Sequence, residues 1–283
     1  MKKSPESETK IKLDLKRLGL QNFEIYINSK DQGLSNQLLT YGVREPLNSY
    51  FLAKRIRSTK PSVLDIGGNI GYFPIIEALS GAKEVTVYEP VNETFEFLLR
   101  NTASLKNVNC HNMGIGETSE IKTIYITNRR NNASLEPSEN YMEQNDIKII
   151  ETEEVKILAL KDACDKISSN DIFCRMDVEG YESKILNDIP EKVKGISFEF
   201  HTKILGTNKS IKLIEKLEND GFEIALMTRE LEGIMKLFKV FGFTIFRIYN
   251  QLKEKRIYEY PTKSEIVKII TLMRENPHIF AYR

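Results

Sequence analysis

The sequence predicts an α/β fold in which helices cover both faces of a mostly parallel sheet. Three observations carry this expectation. From Pro61 onward, short apolar runs alternate with helical patterns, as βα units require. The first run, Val63–Ile66, ends in a glycine-rich turn that leads into a helix. Acids stand at the C-terminal ends of several runs, where open α/β sheets bind their ligands. Four segments follow: an N-terminal cap over 1–60, a core over 61–228, a helical insertion over 229–276 and a last core strand over 277–283.

The cap is charged and mostly helical in pattern, with one strand expected at Phe23–Ile27. After the first run comes a helix over 72–80, with Pro74 in its first turn and Gly81 as its stop. A second strand is read at Val85–Tyr88, a third at Val108–Asn112 and a fourth at Ile121–Ile126. Asn128 to Asp146 is polar and reads as a long loop, a length usually given to lids or binding segments. Later strands are expected at Ile172–Met176, Ile196–Phe200, Phe222–Leu226 and His278–Tyr282.

Composition excludes several classes. Among 283 residues, 41 Lys+Arg balance 40 Asp+Glu, which argues against a dedicated nucleic-acid binder. Three separated cysteines, with no C-x-x-C pair, give neither a disulfide framework nor a zinc knuckle and suit a reducing, cytoplasmic setting. The charged N-terminus gives no secretory signal, and no apolar run reaches the roughly 18 residues needed to span a bilayer.

The glycine-rich turn reads Asp65-Ile66-Gly67-Gly68-Asn69-Ile70-Gly71. Small residues there let a ligand approach the backbone and a helix N-terminus. The spacing fails the dinucleotide fingerprint G-x-G-x-x-G, and no Gly-Lys-Ser/Thr follows to make a P-loop. A second acid, Glu89, closes the next strand, where a carboxylate can accept both hydroxyls of a ribose.

Three blocks resemble the FkbM family of S-adenosylmethionine (SAM) dependent methyltransferases: Val63–Phe73, Val87–Pro90, and Arg175 to Glu182 (R-M-D-V-E-G-Y-E). Ser197–His201 (S-F-E-F-H) reinforces them. The family usually has Lys where Arg175 stands and a small residue where Tyr181 stands. The resemblance implies a Rossmann-like class I methyltransferase sheet of seven strands, ordered 3-2-1-4-5-7-6 with strand seven antiparallel. It also implies SAM as cofactor, held by Asp65, Gly67, Gly68, Asn69, Gly71, Glu89, Pro90, Met113, Gly114 and Asp177. Gly114–Glu117 is read as the turn beside the adenine, and Tyr41 and Glu45 as residues that fold over the cofactor.

The implied reaction is methyl transfer to a hydroxyl of a carbohydrate, glycolipid or related secondary metabolite. A neutral alcohol needs a base within reach of its proton. His201, Asp177 and Glu179 are the candidates; His201 comes first because an ordinary imidazole is neutral and accepting at working pH. Asp177 could orient it or touch the acceptor. Arg175, Tyr181 and Glu199 are expected on the acceptor side, with Asn131, Asn132 and Ser134 of the long loop near it. Asp177, Glu179, Glu199 and His201 have the chemistry to hold Mg²⁺ or Mn²⁺, but the metal-using sugar methyltransferases carry a different motif, so no metal is assigned.

Residues 233–250 place Lys236, Lys239, Arg247 and Asn250 along one side of a Phe/Ile/Leu/Met face, a pattern of helices that pack on a domain, a dimer partner or a membrane surface. Peripheral membrane contact and a homodimer are therefore both open, with a small-molecule or glycan acceptor and no nucleic acid as partner. Competing readings are a nucleic-acid or protein methyltransferase on the same fold and a non-catalytic SAM-binding scaffold.

Overall fold

The computed structural model describes residues 8–29, 31, 33–128, 133–227, 257–259, 261–262, 264–266, 268 and 276–283. The segment 233–250, with its amphipathic face, and Asn131 and Asn132 lie outside them.

The chain opens on an antiparallel ribbon of β1 (Glu8–Leu13) and β2 (Phe23–Asn28), with Ile11 opposite Ile25. Only β2 was expected. In β1 the alternation E-T-K-I-K-L leaves most side chains at least partly exposed, so its charges resemble a solvated helix face. Two helices follow, α1 (Leu34–Tyr41) and α2 (Pro46–Thr59). Pro46 opens α2, where its missing N–H leaves nothing unsatisfied.

The βα units then run β3 (Ser62–Ile66), α3 (Tyr72–Leu79), β4 (Glu84–Tyr88), α4 (Asn92–Thr102) and β5 (Val108–His111). β3 is buried along its whole length, as a central parallel strand should be. Asn101 of α4 grips β2 by accepting from the Tyr26 N–H at 2.7 Å and donating to its carbonyl at 2.9 Å. Arg100 stacks over the Tyr26 ring at 3.4 Å.

A side sheet comes next. It holds β6 (Gly114–Gly116), β7 (Glu120–Thr127), a short α5 (Glu139–Gln144) and β8 (Ile149–Ala159), in the order β6-β8-β7. Four differences from the sequence reading arise here. Residues 121–126 form a strand outside the main sheet. Gly114–Gly116, read as part of a turn, pairs in parallel with β8. β8 itself was not foreseen, because its Glu and Lys side chains face solvent and only Val155 and Ile157 are buried. The long polar stretch carries α5 rather than plain loop.

The chain returns to the main sheet through α6 (Leu160–Asp165), β9 (Ile172–Met176), α7 (Glu182–Ile185), β10 (Val193–Glu199), α8 (Thr202–Leu205), α9 (Thr207–Asn219), β11 (Glu223–Met227), β12 (Ile257–Glu259) and β13 (His278–Tyr282). The main sheet is ordered β12-β11-β13-β10-β9-β3-β4-β5. Read from β5, this is the expected 3-2-1-4-5-7-6 order, and β13 runs antiparallel to both its neighbours. One strand is additional: β12 pairs antiparallel with the outer edge of β11, inside a stretch expected to be helical. The edge of β11 offers unpaired backbone groups, and Ile257-Tyr258-Glu259 just before Pro261 suits a short edge strand. Among the described residues three apolar clusters are buried: one around Phe198, Phe200 and Leu217, one around Leu52, Ile56 and Ile75, and a smaller one of Val91, Ile124, Ile126, Val155 and Ile157 at the side sheet.

Candidate active site

The site begins where β3 leaves the sheet. Gly67 takes a φ of +81°, and its N–H and that of Gly68 both donate to the Tyr88 carbonyl, at 2.9 and 3.2 Å. The loop is packed so tightly that a Cβ on Gly67 would lie 2.2 Å from the Asp177 carbonyl oxygen. One on Gly68 would lie 2.2 Å from Val87 Cγ1. Asn69 is also left-handed, and its Oδ1 receives the Ile70 N–H at 2.8 Å. Gly71, at φ +94°, caps α3.

Glu89 ties this loop to the next helix. Its Oε2 receives the Asn69 N–H and its Oε1 the Val91 N–H, both at 2.9 Å. Each carboxylate oxygen has two acceptor directions, so both can still receive a ligand hydroxyl. Burial pushes the Glu89 carboxyl up to about 7, against the pull of these two amides.

Beneath the loop lies a buried charge network. Arg175 donates from Nη1 to Asp65 Oδ1 and to the Gly67 carbonyl, and from Nη2 to Asp177 Oδ2, each at 3.2 Å. Its guanidinium also lies 4.1 Å from the centre of the Phe73 ring. Arg175 thus supports the glycine loop from below, in a place that strand alternation alone does not reveal. Asp65 is fully buried under the same loop. Burial, together with the neighbouring Asp65 charge, raises the Glu77 carboxyl well above its usual range, and neither of its oxygens has a hydrogen-bond partner among the described residues. Folding therefore takes up a proton at Glu77, and wild-type stability falls as pH rises above the ordinary carboxyl range. Glu77→Gln supplies a donor without that proton. It should raise Tm at pH 7–8 and flatten its pH dependence, measured by calorimetry.

The exit of β9 carries the acids. Asp177 and Glu179 line an open cleft together with Gly67, Asn69, Glu89 and Pro90. Gly114 and Tyr181 also line it; the Tyr181 hydroxyl receives Lys122 Nζ at 2.8 Å. Met113 packs against the core cluster instead. Asp177 Oδ1 is buried without a protein partner among the described residues. Glu179, at φ +50°, turns the chain so that its carboxylate faces both the cleft and the ring of His201.

His201 is 2% exposed. Its Nδ1 lies 2.6 Å from Glu182 Oε1, and its Nε2 lies 3.3 Å from Glu179 Oε2 and 3.9 Å from Glu199 Oε1. Burial opposes a charge on the ring, but the carboxylates of Glu182, Glu179 and Glu199 outweigh it and raise His201 well above 6.5. An imidazolium has no lone pair to accept a proton or to ligate a cation. Burial also lifts Glu179, to about 6, with His201 pulling the other way. Glu179 and Asp177 are the carboxyl groups that line the cleft, and His201 stands directly behind Glu179. Glu199 receives Asn276 Nδ2 at 3.1 Å beside His278 and Glu45.

One residue escaped the sequence reading. Arg44 donates from Nε to Glu45 Oε1 at 2.9 Å. It lines a second, small cavity with Leu34, Tyr72, Phe73, Arg175 and Asp177. Its neighbours Glu45 and Pro46 make it look like an ordinary loop charge.

A family model described as the methyltransferase FkbM domain matches residues 65–243. The chain belongs to the FkbM methyltransferase family. As a member of that family it is a SAM-dependent methyltransferase. Its fold is similar to that of a ribosomal protein L11 methylase from Lactobacillus delbrueckii subsp. bulgaricus (13% identity, 65% of this chain and 72% of that one, TM-score 0.37). A putative RNA methyltransferase from Pyrococcus horikoshii (16%, 65% and 74%, 0.38) and a SAM-dependent O-methyltransferase from Thermotoga maritima (12%, 92% and 73%, 0.42) are also similar. No curated protein matches the chain. Among the described residues, no helix of this FkbM methyltransferase is long and apolar enough to cross a membrane.

The FkbM site fits SAM in its chemistry. The loop admits no Cβ at Gly67 or Gly68, Glu89 keeps free acceptor directions for a ribose, and Asp177 holds an unpartnered oxygen for an ammonium.

Proposed function

We propose that the protein methylates a hydroxyl oxygen of a carbohydrate, glycolipid or related metabolite, with Glu179 as the general base. SAM, when bound, supplies an electrophilic methyl group on a positively charged sulfur that leaves as a neutral thioether. The observation that carries the reading is the place of Glu179, which lines the cleft with Gly67, Glu89 and Asp177 while its Oε2 lies 3.3 Å from His201 Nε2. Glu179 would take the acceptor's proton as the oxygen attacks, and His201 would stabilise the carboxylate beforehand. Glu89 would hold the ribose, Pro90 and Gly114 would flank the adenine, and Asp177 would meet the methionine ammonium. Arg44, across the second cavity, would meet the methionine carboxylate. Glu45, Asp177, Glu179 and Glu199 supply the acceptors that a polyhydroxylated substrate would use, which supports a sugar over an apolar amine.

The test is transfer of radiolabelled methyl from SAM into cell extract, with soluble glycans and lipids counted separately. Label in either fraction, lost in Glu89→Ala, supports the reading, and the fraction says whether the acceptor is lipid-borne. Label only in nucleic acid or protein would overturn it. SAM affinity itself should depend on pH. If the ribose needs Glu89 ionised, a carboxyl near 7 makes binding about tenfold weaker at pH 6 than at pH 8. Calorimetric titration at both values checks this, and Glu89→Ala should remove the dependence.

A further inference from the structure

Glu182 ends the Asp177–Glu182 block, yet its side chain stands away from the cleft. It is fully buried, receives the Gly180 N–H at 3.2 Å through Oε1, and meets His201 Nδ1 through the same oxygen. Its Oε2 has no partner among the described residues. Beyond the ring, Nε2 faces Glu179. Glu182, His201 and Glu179 thus form a line that begins in the core and ends in the cleft.

Such a line has two proton arrangements. With Glu182 ionised, both ring nitrogens keep their protons, and Nε2–H donates to a Glu179 carboxylate. With the charge at position 182 removed, the ring gives up a proton, and a neutral ring no longer favours the ionised form of Glu179 as a cation does. We infer that Glu182 is a positioning residue for methyl transfer: it holds His201 as the imidazolium that keeps Glu179 ionised and aimed at the cleft. This rests on the reading of Glu179 as base. In the reaction the hydroxyl proton passes to Glu179, the oxygen's electron pair forms the new C–O bond, and the C–S pair returns to sulfur; His201 keeps both protons throughout. The other charged groups facing the ring are Glu179 and Glu199. Those facing Glu179 are His201, Asp177 and Glu199, with Arg44 farther off. Among these, Glu182 meets Nδ1, on the side of the ring away from Glu179.

The chain has only three histidines, so nitrogen-15 NMR of the labelled protein can follow each ring. His201 in the wild type should show two protonated nitrogens at pH 7, a measurement that needs no variant. In Glu182→Gln the same ring should be neutral at pH 7. The acid limb of methyl transfer, near pH 6 in the wild type, should move up by about one unit or more. A merely structural role would lower Tm and leave the limb in place. A neutral His201 in the wild type, or an unmoved ring and limb in the variant, would overturn the inference. Full activity in Glu179→Gln would instead overturn the base reading, whatever the ring state.

Discussion

Gly67→Ala is expected to cost about 100-fold in SAM affinity and to lower Tm markedly. Two effects combine. An L-residue in the left-handed region costs about 1–2 kcal/mol, and Gly67 sits at φ +81°. The new methyl would also lie 2.2 Å from the Asp177 carbonyl oxygen, so backbone must move, and overpacking of this kind costs roughly 1–3 kcal/mol. The strand ends are joined there, since the Asp177 N–H donates to the Ile66 carbonyl at 3.0 Å. Pushing Asp177 away therefore disturbs both walls of the cleft. Gly81→Ala is the control: its φ is +94°, but nothing lies within 4 Å of the added Cβ. It should lower Tm by about 2–4 °C and leave SAM binding unchanged. Equal SAM affinity in wild type and Gly67→Ala would show that the cofactor does not sit on this loop.

Glu179→Gln should reduce kcat by about 10²–10⁴-fold, the usual contribution of a positioned base. The change keeps shape, and the amide oxygen can still receive His201 Nε2–H. SAM affinity should therefore stay within about threefold of wild type, so that the loss falls on the chemical step. The acid limb near pH 6 should vanish with the carboxyl that produces it. Undiminished kcat would move the base to Asp177, the other carboxylate of the β9 exit in the cleft.

The parts of this fold that the sequence made legible are those whose residues are nearly all buried. Val63–Ile66, Val85–Tyr88 and Ile172–Met176 are buried along their length and apolar but for Asp65, Thr86 and Arg175, because parallel strands are covered on both faces. β1 and β8 were missed because they alternate charge with apolar residues, and β12 because only its pairing with β11 makes it a strand. The glycine loop, Glu89 and the acids after β9 were visible as local spacing. The direction of Arg175 was not, since its neighbours in sequence do not say that Asp65 awaits it 110 positions away. The set of carboxylates around His201 was equally hidden. Three of them face its ring, of which Glu182 lies 19 positions away in sequence.

The pairing of Met227 with Ile257 has a consequence for how the molecule could be remade. The chain departs from the sheet edge at one of these residues and rejoins it at the other, directly across a single rung. The two ends of 228–256 are therefore fixed by the sheet at one point. Because the entropy of closing a loop grows only slowly with the number of residues in it, a change of length within 228–256 should cost this pairing little.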